Sequence, residues 1–525
     1  MSKKSRKCCP ILIPGYQNQA FAPFIGAPTR RILRVSRCSF MIFYHWNYSL
    51  FWRDSDKYTP PAEHWITLYY NKARADPIAR HQRRKDTTHT HADRTRNSDP
   101  LLEIRVLRIA VIGSGISGLS CAHYLSTNHE VSVFEAGKQV GGHTATVDVK
   151  LGTRRYAIDT GFIVFNDWTY PNFIALMDSL GVSSKPTEMG FSVRDETSGL
   201  EYSGTNLDTL FAQRGNLLSW RFITMVRDIL RFNKASVKDL DEGRVSDKQT
   251  LGEYLECNRY SDAFTRQYLT AMGSAIWSAD CATILDFPLS FFLRFFRNHG
   301  LLSVQNRPQW RVIEGGSREY LRPLCQRFED RIHTGCAVQR VRRQANRVTL
   351  VMADGRELQF DQVVLATHSD QALAMLEEPS PAEHDVLGAL PYQSNEVILH
   401  TDTRLLPRNR KTWSSWNYSL GREQQRAVVT YNMNILQGIT APETFCVTLN
   451  NTAAINPVKI LGRFNYDHPV FSIGGIAAQQ RWQEINGQRN TWFCGAYWHN
   501  GFHEDGVVSA LRVAEALNQQ KQAAA

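Results

Sequence analysis

"RIAVIGSGISGLSCAHYLSTNHEVSVFE", residues 108–135, carries the reading of the fold. "RIAVIG" is a short apolar strand, and "ISGLSCAHYLST" sets Ile116, Leu119, Ala122 and Leu125 on one helical face. "HEVSVFE" is a second strand. Between the first strand and the helix, Gly113, Gly115 and Gly118 form GxGxxG. The first glycine permits a tight turn, the second lets backbone approach a pyrophosphate, and the third lets the helix pack close to the strand. The amides of Ile116 and Ser117 open the helix, where the dipole favours negative charge. Glu135 ends the second strand, 22 residues after Gly113, where an acid accepts hydrogen bonds from a ribose diol and argues against a 2′-phosphate. Strand, helix, strand and acid in register read as a dinucleotide site.

Working outward, the charge is uneven. Residues 1–105 hold 19 Lys and Arg against 8 Asp and Glu, whereas the remainder holds 42 of each. The body is neutral, so the basic excess gives no reason to expect it to bind nucleic acid. Residues 1–103 read as a weakly ordered basic leader, without periodicity and rich in polar stretches such as "RRKDTTHTHADRTRNSD". Its "HTHAD" histidines read as solvated rather than as metal ligands, and no metal site is expected. The aromatic stretch Cys38–Trp52 is too short to span a membrane and leaves peripheral contact open. The ten cysteines show no metal spacing and no disulfide framework, which suits free thiols in a reducing, cytoplasmic setting. At 525 residues the chain exceeds a single core.

Downstream, residues 205–300 are helical in pattern. Short strands return as "RIHTGCAV", "RVTLVMADGRELQF" with a turn at Asp354–Gly355, and "QVVLATHS". Residues 391–480 predict further strands, and "GVVSALRVAEALNQQ" a closing helix with Asp505 near its N-cap. "EAGKQVGGHTAT" places Gly141 and Gly142 just past the acid, and "IDTGFIVF" adds Asp159 and Gly161. "WFCGAYWHNGFHEDGVVSALRVAEAL" supplies a second loop and helix N-terminus, whose amides at Gly506 and Val507 suit the electron-rich edge of a reduced flavin. Two anchoring points favour FAD over NAD.

This succession resembles the flavin-containing amine oxidase superfamily. "GFIVFNDWTYPNF", "LTAMGSAIWS", "WRVIEGGSREY", "VVLATHSDQAL", "TFCVTLN" and "FCGAYWHNGFHEDGV" resemble more closely a bacterial family of predicted NAD/FAD-binding oxidoreductases of unsettled substrate, over about residues 106–518. The resemblance implies an α/β fold: a Rossmann-like, glutathione-reductase-type FAD-binding domain interleaved with an α+β substrate domain. The first would comprise residues 104–182, 312–380 and 487–522, and the second 183–311 and 381–486. It implies non-covalent FAD contacted by Gly141, Gly142, His143 and Thr144, with Val338 at the adenine, Gly495 at the flavin, and Glu504, Asp505, Gly506 and Val507 closing over it.

Two departures stand out. His143 occupies the position where amine oxidases usually carry Arg, and it is a weaker, titratable phosphate partner. "PYQSNEVILHTDTRLL" lacks the lysine that those enzymes tend to hold near the flavin, offering Asn395, Glu396 and His400. Flavin itself accepts the hydride, so the protein need only position a C–H bond and exclude water. Tyr497, Trp498, His499 and His503 are the candidates for that work, with packing around the cofactor as the alternative. "FPLSFFLRFFRNHGLL" is either plain core or the wall of an apolar tunnel. The expectation is an FAD-dependent desaturase or oxidase acting on a small, apolar, lipid or isoprenoid-like substrate. Amine oxidation, a non-catalytic FAD- or NAD-binding module, an NAD-dependent dehydrogenase and a nucleic-acid binder acting through the leader are the alternatives. Oligomeric state is not legible.

Overall fold

The computed structural model of the protein describes residues 106–421 and 426–524. The leader 1–103, its "HTHAD" string and Cys38–Trp52 lie outside the described residues. The chain divides into two units, Met1–Leu101 and Leu102–Ala525, and everything below concerns the second.

The first sheet brings together strands from distant parts of the chain. β1 (Arg108–Ile112) leads into α1 (Ile116–Leu125) and β2 (Glu130–Phe134), followed far downstream by β3 (Ile332–His333), β4 (Gln362–Leu365), β5 (Thr491–Phe493) and α2 (His503–Ala524). The strand order is β3-β2-β1-β4-β5, and every pairing is parallel. Parallel sheets need both faces covered, and β1 shows why this one is. Ile109 and Val111 enter one core with α1 and α2, while Ala110 and Ile112 enter another built on Val341, Leu350 and Val386. Burial on both sides explains the near-continuous apolar run read from the sequence. The Rossmann-like class expected from residues 108–135 is the one the chain adopts.

A seven-stranded sheet forms the second layer, in the order Ile460–Pro469, Tyr392–His400, Cys446–Leu449, Val428–Asn432, Trp416–Leu420, Phe191–Asp195, Leu200–Ser203. Its pairings are antiparallel except that of Trp416–Leu420 with Phe191–Asp195. Helices including Trp220–Asp241 and Leu289–Asn298 pack with it around a core of Phe232, Trp277, Phe292 and Tyr418. Most of the aromatic stripe in Leu289–Asn298 is therefore core. Among the described residues no helix is long and apolar enough to cross a membrane.

Two local expectations differ from the structure. "RIHTGCAV" is two strands, because Gly335 turns the chain at φ +63° and Val338–Arg343 begins a separate antiparallel sheet. The last helix begins at His503 rather than at Gly506, while Asp505 lies near its N-cap as expected, in the first turn, where its Oδ2 accepts the Phe502 amide at 2.8 Å.

Candidate cofactor and substrate site

At the turn after β1, Gly113 has φ +103°, and a Cβ there would lie 2.7 Å from the Ala366 carbonyl oxygen. A Cβ on Gly118 would lie 2.0 Å from the Gly113 oxygen, so only glycine lets α1 rest against the turn. Gly115 is the opposite case, since a Cβ there would meet nothing within 4 Å. Gly115 is also the N-cap of α1, supplies no capping side chain, and is followed by no acid in the first turn. The helix thus presents an uncapped, positive N-terminus to open space, a ready seat for a diphosphate. Beside it, Ser114 donates to Glu135 Oε2 from its amide at 3.0 Å and its hydroxyl at 2.6 Å, and the Gly137 amide donates to Oε1 at 2.7 Å. The acid is held at the C-terminal end of β2, as a ribose partner must be.

This turn lines a cavity of about 980 Å³. Gly113, Gly115, Ile116, Ser117, Glu135 and Val338 line one part, and Gly142, His143, Gly495, Tyr497 and His503 another. A further part is walled by Met272, Trp277, Phe295, Leu301, Trp416 and Phe471. Its volume lies at the upper end for ligand sites. The open Gly115 amide turn, the fixed acid and the continuous cavity fit a dinucleotide extending toward the C-terminal loop.

His143 belongs to a cluster. Its ring lies 5.0 Å from that of Tyr466, 5.5 Å from His468 and 6.4 Å from His368. Burial, reinforced by the two other histidines, holds His143 down to about 3, and burial holds His468 to about 4 and lowers His368. All three are neutral imidazoles at neutral pH, and His143 Nε2 is buried without a hydrogen-bond partner among the described residues. Asn395, one of the residues standing where a lysine was expected, lies 3.1 Å through Nδ2 from His468 Nδ1. His400 does not line the cavity; its Nε2 pairs with the Thr448 hydroxyl at 2.7 Å. His368 and Tyr466 were missed from sequence. A signal existed for His368, which follows β4 at the carboxyl edge of a parallel sheet, where ligands of such sheets gather. None existed for His468, which arrives through the pairing of His468 with Gln393.

The C-terminal loop divides its candidates. Tyr497 and His503 line the cavity; Trp498 and His499 do not. Trp498 is buried in a core, with Nε1 donating to the Phe493 carbonyl at 3.2 Å. His503 stacks on Phe162 at 3.6 Å, and its Nε2 lies 3.2 Å from both the Thr144 and Tyr320 hydroxyl oxygens. Burial holds its pKa well below the usual value. Gly506 sits between the two helix N-termini, where a Cβ would lie 2.8 Å from both Ile116 Cγ2 and Ser117 Oγ, and Val507 is in the core.

Glu504 acts away from the cavity. Its Oε1 accepts the Asn172 amide at 3.1 Å and Nδ2 at 2.6 Å, and Oε2 accepts the Phe173 amide at 2.8 Å, so it caps the helix Pro171–Ser179. Asp159 ties three segments, accepting from Thr146 Oγ1 at 2.6 Å, the Ser317 amide at 2.9 Å and Gln437 Nε2 at 2.8 Å. We expect Glu504→Ala to lower unfolding free energy by about 2–3 kcal/mol, because it strands the buried Phe173 amide and the half-buried Asn172 amide. Denaturant melts measure that loss. A direct cofactor role would instead show as an FAD affinity reduced more than about tenfold at unchanged stability.

Comparison with known proteins places these features in context. The profile of the family described as flavin containing amine oxidoreductase matches residues 116–438. An L-amino-acid oxidase of Gloydius halys is 24% identical over 333 residues, 56% of this chain and 59% of that protein. The chain thus spans less than two thirds of that relative. Among solved structures, cyclohexylamine oxidase from Brevibacterium oxydans IH-35A superposes with a TM-score of 0.58 at 18% identity, over 79% of this chain and 100% of the other. A CLA-producing fatty acid isomerase from P. acnes does so at 0.55 and 15%, over 79% and 98%. At such identities the likeness shows a shared fold.

Proposed function

The chain belongs to the flavin containing amine oxidoreductase family, and we propose that this FAD-dependent oxidoreductase removes a hydride from an apolar, lipid or isoprenoid-like substrate. The observation that carries the reading is the cavity wall of Met272, Trp277, Phe295, Leu301, Trp416 and Phe471, which offers no charge. Among the described residues, the charged ones lining the cavity are Glu135 at the first turn, Asp467 beside the histidine cluster, and Arg307. An ammonium group buried against the apolar wall would lack a carboxylate there, at a cost of several kcal/mol. A hydrocarbon chain loses nothing polar and gains about 25 cal/mol for each Å² it buries.

In this reading Gly113, Gly115, Ile116, Ser117, Glu135, Gly142, His143 and Val338 hold the dinucleotide half of FAD non-covalently, and Gly495 and His503 border its flavin half. Bound flavin supplies a hydride acceptor. The chain's residues exclude water, orient the substrate and keep their own protons in place. Burial pushes the Tyr497 hydroxyl well above its ordinary pKa, so it remains protonated at neutral pH. His503 is held in orientation by Thr144 and Tyr320. Residues 104–182, 312–380 and 487–522 form the FAD-binding domain, and 183–311 with 381–486 the substrate domain.

Amine oxidation is the second reading, favoured by the likeness to cyclohexylamine oxidase and by aromatic walls that could hold a cation. Anaerobic mixing of the holoenzyme with long-chain fatty acids, isoprenoid alcohols and primary amines separates the two. We expect saturable bleaching of the flavin band near about 450 nm with an apolar substrate. Bleaching by amines alone would overturn the apolar reading.

A further inference from the structure

The helix Trp220–Asp241 carries two stripes. The inward one, with Phe222, Met225 and Phe232, is buried in the core beneath it. The outward one runs through Trp220, Ile223, Arg227, Leu230 and Lys234, all exposed, at the three- and four-residue steps of one helical face. The turn before it extends the apolar part, since Leu218 is 93% exposed, against 77% for Trp220. Nothing among the described residues covers this face, and single exposed apolar residues are ordinary whereas a contiguous set is not.

From this arrangement we propose that the outward face of Trp220–Asp241, with Leu217 and Leu218, docks on an anionic phospholipid bilayer. The surrounding charge has the sign such a surface requires. Residues 205–241 contain six Lys and Arg and four Asp, of which Asp239 and Asp241 are paired with Arg244 at 2.6 Å and Arg297 at 2.7 Å. Of the other acids, Asp228 is buried and paired with Arg231 at 3.2 Å, and Asp208 sits between Arg214 and Lys411. The neighbouring Asp262 is 3.3 Å from Arg221. The outward charge left over is basic. A packed helical partner needs an apolar seam, but Arg227 and Lys234 interrupt this one. A bilayer accepts both classes together: Trp and Leu enter the headgroup and acyl boundary while the cationic heads stay at the phosphates. This inference stands on the surface alone and goes beyond the substrate reading.

The test uses the full-length holoenzyme and vesicles of phosphatidylcholine with or without roughly a third phosphatidylglycerol. We expect the anionic vesicles to bind at least about tenfold more tightly, with release in high salt. The triple variant L217S/L218S/W220S should bind about tenfold or more weakly. Because the basic residues 1–105 are present in every variant, a site-specific readout accompanies the affinity. Vesicles carrying bromine-labelled lipid should quench the tryptophan fluorescence of the wild type measurably more than that of W220F, which keeps the apolar face. Equal quenching of bound wild type and W220F would overturn the proposal. So would vesicle affinity unchanged in the triple variant, or a dimer of the wild type that the triple variant converts to monomer.

Discussion

Gly115→Asp is expected to give a protein that folds at least as stably as the parent and no longer holds FAD. Gly115 is the N-cap of α1 with φ −70° and ψ 178°, an extended conformation that aspartate adopts readily at this position. Its Cβ would meet no atom within 4 Å, so the substitution brings no clash. A capping carboxylate, its interaction with the helix dipole and a less flexible unfolded chain together contribute about 1 kcal/mol to the apoprotein. The same carboxylate occupies the anion seat. Two like charges about 4 Å apart repel by about 4 kcal/mol at a surface-like dielectric, enough to weaken a diphosphate ligand more than about a hundredfold. Thermal melts of the apoprotein and fluorescence titration with FAD read the two effects separately. FAD affinity within about threefold of the parent would show that the diphosphate does not rest on α1.

The second large effect is acid sensitivity. Burial holds His299, His400, His468 and His499 to about 4 and His143 to about 3. These groups are depressed relative to an unfolded histidine near about 6.5. As pH falls below that value, the unfolded chain takes up protons that the fold refuses, and stability drops until the folded values are reached. Each such histidine then costs about 3 kcal/mol. Asp159 and Asp505 work in the opposite sense, because burial raises them to about 6 and about 7. They keep protons that the unfolded chain releases above about pH 4, so they favour the fold as pH falls, by about 3–4 kcal/mol each. Five histidines outweigh two carboxyls by an amount comparable to the whole stability of a domain. The apoprotein should therefore lose its cooperative unfolding transition between about pH 6.5 and pH 4. Calorimetry across that window checks this, and a transition midpoint independent of pH there would contradict it.

The candidate site was legible where the interactions are local. GxGxxG and Glu135 announce themselves because their roles are played out within a single strand-turn-helix-strand unit, and the Ser114–Glu135 bonds close inside it. The C-terminal loop was legible as a segment but not residue by residue. From Gly495 to the start of the last helix at His503 no regular period tells which side chain faces the cavity, so Tyr497 and His503 reach it while Trp498 and His499 turn elsewhere. Glu504 looked like part of the same loop, yet its carboxylate reaches back to the amides at Asn172 and Phe173, more than three hundred positions earlier.

What the sequence determined by itself is the dinucleotide-binding unit and the α/β class, because turn geometry, helix spacing and a strand-end acid are short-range properties of the chain. Only the tertiary structure decided the histidine cluster, the apolar cavity wall and the two-sided helix Trp220–Asp241. His143, His368 and His468 stand together because a parallel strand end, a glycine turn and one antiparallel register meet there. Their neutrality follows from burial, which depends on what the rest of the fold places around them.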